Sequence, residues 1–218
     1  MPPRNQILQI ASDLHNDLYT SLTNTRGADL PNKFDKLDLK ILYELQKDGR
    51  ASITEIAEKV GSSRPTVTSR VKQLLKSRSV IIEAGLNLAV AGFKMACVGL
   101  EVRNKKTRRN VEQMLKNCPR VLNVFWTPDK ANIHLTVWGE EDKTINSTIE
   151  TFRDLYDVDI VYTHYLGTPI HGDIGIKISP AHSEETPCGM KCSECQRFEN
   201  KWCLGCPISV DYINPVVE

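Results

Sequence analysis

The sequence lacks a long hydrophobic run, since no stretch approaches the roughly 18 consecutive apolar residues that a membrane-spanning helix needs. Its first residues also lack the basic-then-apolar order of a secretion signal. No tandem repeat or low-complexity tract is visible, which excludes a collagen-like chain. We therefore expect a cytoplasmic protein without a membrane partner, and the length of 218 residues suggests one or two domains.

An excess of one charge is also absent, because 28 Lys and Arg residues oppose 27 Asp and Glu residues. This balance identifies no partner, since nucleic-acid binding depends on where the charges lie. The local distribution is uneven: residues 64–82 contain five basic residues and no acidic one. Cysteine is concentrated as well, with five of the seven within the last 31 residues. These two segments are the candidates for function.

Residues 35–84 have the pattern of a winged helix-turn-helix domain. The first helix is predicted to end near Gly49, where glycine would supply a left-handed cap. Ser52 caps the second helix and Ser63 caps the third, because serine oxygens accept hydrogen bonds from the first free backbone N–H groups. The following segment, Val80–Ala91, looks extended, as a β wing or a connecting strand would.

The third helix carries the basic residues. Val67 and Val71 turn inward, so long cations and short hydroxyls lie on or near the outward face, where they suit phosphates and base edges. Basic helix faces are often only solvated, but two preceding helices at helix-turn-helix spacing favour double-stranded DNA as the partner. The residues predicted to contact DNA are Ser63, Arg64, Thr66, Thr68, Ser69, Arg70 and Lys72.

The rest of the chain divides into three parts. Residues 1–34 contain an amphipathic helix at 7–22 and a linker. Residues 85–168 show the order β-α-β-β-α-β, which is the ferredoxin-like arrangement of an α+β fold. The predicted elements are strands at 93–102, 121–127, 133–138 and 158–165, with helices at 107–118 and 142–157. A small Cys-rich segment, residues 169–218, follows.

The segment LDLKILYELQKDGRASITEIAEKVGSSRPTVTSRVKQLL, followed by a β-α-β-β-α-β domain, resembles the Lrp/AsnC (leucine-responsive, feast/famine) transcription regulators of archaea and bacteria. The resemblance covers about residues 35–165. It implies a sequence-specific DNA-binding regulator with a ligand-sensing domain, homodimers built by pairing the sheets, and often larger homo-oligomers. The alternative is an architectural protein that binds DNA with little sequence preference.

The resemblance also identifies an effector turn between the second and third strands of the sensing domain. Members of the family usually carry a Gly and an Asp in this turn, where amino-acid effectors bind at dimer contacts. Here the turn reads TPDKAN, with Pro128 near the Gly position and Asn132 near the Asp position. Thr127, Asp129 and Asn132 are the candidate effector residues, and the sequence leaves the small-molecule effector open.

The tail contains two C-x2-C pairs separated by seven residues. Disulfides are uncommon in a reducing cytosol, so such pairs favour a metal site with four thiolate ligands. Zinc is the first interpretation. The alternative is an iron–sulfur cluster, which the spacing C-x3-C-x2-C plus one later cysteine could hold. The candidate ligands are Cys192, Cys195, Cys203, Cys206 and Cys188.

An enzyme is not expected. The spacing C-x3-C-x2-C also occurs in radical SAM enzymes, but those place the motif near the start of a large αβ barrel, whereas 12 residues follow Cys206 here. The sequence shows neither a Gly-rich phosphate loop nor a nucleophile elbow. A simple iron–sulfur redox protein remains as a weaker alternative. Cys97 and Cys118 stand alone in apolar surroundings, and we expect them to be small buried hydrophobic residues.

Overall fold

The structure is a computed structural model that describes residues 34–217. The chain forms two compact units, and the boundary between them lies between Glu83 and Ala84. The helix predicted at residues 7–22 lies outside the described residues. Within the described range, no helix is both long enough and apolar enough to cross a membrane.

From residue 34 onward, the first unit contains three helices, α1 (Lys36–Lys47), α2 (Ile53–Val60) and α3 (Arg64–Lys76). The predicted caps at the starts of α2 and α3 are confirmed. The Ser52 hydroxyl accepts a hydrogen bond from the Glu55 backbone N–H, and the Ser63 hydroxyl accepts one from the Thr66 backbone N–H. The inward faces of the helices enclose one hydrophobic core. Its fully or almost fully buried members include Ile41, Ile53, Ile56, Val67 and Val71. The predicted helix-turn-helix arrangement is confirmed.

Two details of this unit differ from the prediction. Helix α1 does not end in a left-handed glycine cap at Gly49, because Asp48 ends it in an extended conformation with φ −148° and ψ 102°. The Asp48 carboxylate then accepts from the backbone N–H of Arg50 at 2.9 Å, and this local bond shapes the turn. Helix α2 does end on a left-handed glycine, Gly61, at φ 69°.

Residues 80–91 form a connecting segment and not a β wing, so only the second of the two interpretations of this segment agrees with the structure. The only strand in the segment Val80–Ala91 is β1 (Leu86–Asn87), which pairs in antiparallel fashion with β6 (Gly175–Ile176). Both strands belong to the second unit. A wing hairpin would need a local turn and a neighbouring partner strand, whereas this partner is distant along the chain and no local pattern reveals it.

The next elements of the second unit are β2 (Lys94–Val102), α4 (Lys105–Asn117), β3 (Val121–Trp126), β4 (Ile133–Gly139), α5 (Asp142–Arg153) and β5 (Val158–Leu166). The strands form a four-stranded antiparallel sheet in the order β3-β4-β2-β5, which confirms the ferredoxin-like prediction. Alternate side chains of the sheet pack against both helices and form the larger core, which includes Leu100, Leu135 and Phe152.

Residues 169–217 belong to this second compact unit and do not form a separate one. They contain β6, a 3-10 turn at Cys192–Glu194 and the short helix α6 (Gln196–Glu199). Arg120 connects the sheet domain to the tail. Its buried guanidinium forms a salt bridge with Glu140 of the sheet domain at 2.9 Å and donates a hydrogen bond to the Gly205 carbonyl of the tail at 2.6 Å. Tyr212 of the tail also donates to the Glu140 carboxylate. The polar groups of the buried pair are therefore satisfied across the tail contact.

Candidate nucleic-acid interface and a cysteine-lined cavity

The orientation of α3 is fixed by its apolar side. Val67 and Val71 are completely buried against α1 and α2, so the opposite side of the helix faces outward. An open groove runs along that outward side. Its lining residues are Arg64, Pro65, Thr68, Ser69 and Lys72. Four of the seven predicted DNA-contacting residues therefore share one surface.

This surface can attract an anion. The first turn of α3 contains no acidic residue, and the N-terminal end of a helix carries a partial positive charge. Arg64 and Lys72 are exposed and two helical turns apart, so both can lie beside the same phosphate backbone. The arrangement combines positive charge, a small hydroxyl side chain and an open shape, which are the features that a helix entering a DNA groove requires.

Three predicted hydroxyl contacts have local roles at the start of α3. The Ser63 and Thr66 side-chain oxygens lie 2.8 Å apart, and Ser63 also accepts from the Thr66 backbone N–H at 3.3 Å. Thr68 donates to the Arg64 carbonyl at 2.8 Å. These bonds fix the first turn of the helix, and the Thr68 hydroxyl, which donates its proton to the Arg64 carbonyl, retains acceptor capacity only.

Arg70 does not lie with the other predicted contacts. Its guanidinium bonds to Asp35 at 2.9 Å and to Asp38 at 3.4 Å, both at the start of α1. The Asp38 and Leu37 backbone N–H groups and the Arg70 cation together lower the pKa of the Asp35 carboxyl. Arg70 therefore joins α3 to α1. Sequence reasoning missed this role, because a carboxylate 32 positions away gives no local signal.

The effector turn is held by its own hydrogen bonds. The Asn132 amide donates to the Val102 carbonyl at 3.0 Å, and its oxygen accepts from the Val102 backbone N–H at 3.1 Å. The Thr127 hydroxyl donates to the Ala131 carbonyl. Asp129 is exposed at the tip of the turn. Of the three candidate effector residues, two are therefore engaged in shaping the turn.

The tail brings all five of its cysteines to one cavity of about 80 Å³. Cys118, at the end of α4, lines the same cavity and corrects the expectation that it is an isolated core residue. Cys97 is only partly buried, on the sheet, and it too departs from that expectation. The six cysteines that line the cavity are Cys118, Cys188, Cys192, Cys195, Cys203 and Cys206.

The chemistry of these thiols is set by burial. Burial raises the pKa of Cys206 to about 12 and also raises the pKa values of Cys118 and Cys203. These thiols are therefore protonated unless a cation offsets the charge of the thiolate. Among the described residues, no group of three or more His, Cys, Asp or Glu side chains is arranged to hold a single metal ion. The four-thiolate set expected for zinc is not assembled.

Known proteins match both units. Residues 34–75 match the AsnC-type helix-turn-helix domain. An uncharacterised HTH-type transcriptional regulator of Pyrococcus furiosus is 40% identical over 82 residues, which are 37% of this chain and 55% of that protein. The regulatory protein AsnC of Haemophilus influenzae is 27% identical over 132 residues, or 58% of this chain and 85% of that protein. The chain thus spans about half of the first relative and most of the second.

Solved structures share the fold. A transcriptional regulator from Neisseria meningitidis, solved as a complex with L-Met, superposes with a TM-score of 0.57 at 23% identity over 67% of this chain and 97% of that one. AsnC of Escherichia coli superposes with a TM-score of 0.54 at 20% identity, over 66% of this chain and 99% of that one. About a third of this chain has no counterpart in these two structures.

Proposed function

We propose, from the premise that this chain is a DNA-binding transcription regulator of the Lrp/AsnC type, that it binds a duplex through the outward side of α3. Arg64, Ser69 and Lys72 make the contacts, and we propose that the protein acts in the cytoplasm. The chain is not an enzyme, since the matched relatives are transcription regulators. The observation that carries the proposal is the groove that these three residues share while the valines of α3 are buried.

Each residue contributes a different interaction. Arg64 and Lys72 neutralise phosphates and release the counterions bound there, which makes the affinity fall as salt rises. Ser69 lies between them on the groove and offers a short hydroxyl to a base edge or a phosphate. Arg70 supports the helix from behind through its ion pairs with α1. The helix is thereby positioned by one cation and makes contact through two others.

The test replaces both exposed cations, Arg64→Ala together with Lys72→Ala. We expect retardation of a promoter fragment to be lost at physiological salt, and the slope of log affinity against log salt to become shallower by about two, because each phosphate contact contributes about 0.9. The matched control is Arg50→Ala, which removes an exposed cation outside α3. A double variant with unchanged affinity and slope would show that another surface binds DNA.

We also propose that the chain forms a homodimer or a larger homo-oligomer by covering the open face of its sheet. The side of the sheet opposite α4 and α5 is covered at one end, where Met95 and Trp138 pack with Leu88 and Ile176. The remaining part of this side carries partly buried or exposed aromatic and small side chains. Tyr162 stacks on His164 there, and its hydroxyl lies 2.6 Å from His134 Nδ1. Phe125 is 57% exposed on the same face. Apolar surface of this kind is stabilised by a second copy.

Finally, we propose that the state of the cysteine tail modulates DNA binding, with a metal or redox signal in the place of an amino-acid effector. Two observations support this. The first is that the Asn132 side-chain amide of the effector turn is hydrogen-bonded to the Val102 backbone. The second is that the tail belongs to the same compact unit as that turn. A change in the tail can therefore reach the sensing domain through direct packing.

A further inference from the structure

The cysteine-lined cavity brings together thiols that the sequence separates. Cys118 comes from the end of α4, whereas the other five thiols come from the tail. The remaining walls are formed largely by apolar groups of α4, α5 and the tail, among them Met114 and Phe152. Apolar cavities in proteins are normally closed by packing, so an open space surrounded by sulfur needs an explanation.

The size of the space argues against a single ion. Zinc bonds sulfur at about 2.3 Å in a tetrahedron, which places neighbouring sulfurs about 3.8 Å apart with no void between them. Here the thiols surround about 80 Å³, and no three ligands in the described chain converge on one point. One water needs only about 10–15 Å³ on this measure. The cavity therefore suits a polynuclear group with several attachment points.

One sulfur-directed hydrogen bond joins the two C-x2-C pairs, and a second lies within the later pair. The Cys206 backbone N–H donates to Cys192 Sγ at 3.4 Å, and the Gly205 backbone N–H donates to Cys203 Sγ at 3.4 Å. Hydrogen bonds to ligand sulfurs stabilise the thiolate form and tune metal–sulfur clusters. The buried Arg120, which binds the Gly205 carbonyl, fixes this turn against the sheet.

We infer that the cavity binds an iron–sulfur cluster, with Cys192, Cys195, Cys203 and Cys206 as its ligands. On transfer of a preformed cluster from a thiolate carrier, each of the four thiols loses its proton as its sulfur bonds to iron, and the carrier thiolate displaced from that iron takes up a proton. No electron is transferred in this step. In place of the C-x3-C-x2-C set that includes Cys188, the two hydrogen-bonded pairs supply the ligands. Cys118 and Cys188, whose Sγ lies 3.0 Å from the Thr186 hydroxyl, line the wall without bonding to iron. The inference goes beyond DNA binding by α3 and does not depend on it.

The experiment measures the full chain, purified without air from cells supplied with iron. We expect a brown protein with broad visible absorption, and iron and acid-labile sulfide in equal amounts. Cys203→Ser should lose most of the iron, while Cys188→Ser and Cys97→Ser should retain it. A colourless wild-type protein, with one zinc per chain or with no iron, would overturn the inference.

Two further readouts keep the result clear. Circular dichroism shows whether Cys203→Ser folds. If this variant does not fold, the iron and sulfide content of the wild-type protein still decides whether the chain binds a cluster. Retardation of a promoter fragment by protein with and without the cluster tests the modulation separately. Equal binding curves would leave cluster binding intact and contradict modulation, whereas loss of DNA binding in both forms would contradict the proposed function only.

Discussion

At the scale of single residues, cations on one helix have different tasks. Lys72 is exposed on the groove of α3, but Arg70, two positions earlier, points to the start of α1. Asp38 is almost completely buried, and its carboxylate is stabilised by Arg70 and by a hydrogen bond from the Asp35 backbone N–H. Positive charge in a recognition helix therefore does not by itself identify a DNA contact.

Arg70→Ala tests this division. We expect the free energy of unfolding to fall by about 0.5–1 kcal/mol, as is typical of a partly exposed ion pair. Lys72→Ala should change stability by less than about 0.5 kcal/mol and weaken DNA binding more than Arg70→Ala does. Denaturant unfolding and retardation assays measure the two effects. If the ranking of the two variants is the same in both assays, the division of roles is wrong.

At the scale of elements, local hydrogen bonds set where the helices begin and end. Ser52 and Ser63 start α2 and α3 as predicted, because a cap needs only the residue itself and the next turn. Helix ends depend on backbone dihedrals that neighbouring bonds can change. Two glycines show the contrast: Gly61 has φ 69° after α2, whereas at Gly49 the turn is formed by the Asp48 side chain.

Gly61→Ala should therefore destabilise the first unit by about 1 kcal/mol, because an L side chain at positive φ is strained. The cost is purely backbone strain, since a Cβ at this position would meet no atom within 4 Å. Gly49→Ala is the matched control. Its Cβ would make ordinary contacts at 3.8 Å and 3.9 Å, and we expect no loss of stability. Equal losses in thermal denaturation would contradict this account.

At the scale of the whole molecule, the second unit covers one face of its sheet with α4 and α5. On the other face, Leu88 and Ile176 cover the end at Met95 and Trp138, and the part around Tyr162 and Phe125 is partly or fully exposed. The cysteine-rich part of the tail lies on the helix side. It packs near the two helices, where the Ser147 hydroxyl donates to the Trp202 carbonyl at 2.8 Å and Arg197 pairs with Asp154. The proposed cluster site and the proposed assembly surface therefore lie on opposite sides of the sheet.

Phe125→Glu should disrupt assembly, because it places a charge on the open face and a buried unpaired charge is costly. We expect the dissociation constant of the dimer to rise at least about tenfold, which corresponds to about 1.4 kcal/mol. Val90→Glu is the control, since Val90 is exposed but lies outside the sheet. Sedimentation velocity measures the result, and a wild-type protein that sediments as a monomer would contradict the prediction.

The helices at 36–76 and the β-α-β-β-α-β order of the second unit could be predicted from the amino-acid sequence, because periodicity and caps are local properties. Three contacts could not be predicted in this way: Arg70 with the start of α1, Leu86–Asn87 with Gly175–Ile176, and Cys118 with the cavity of the tail. They depend on residues that are widely separated in the sequence. Each of these contacts joins residues that are far apart in the chain, and only packing of the completed core brings them together.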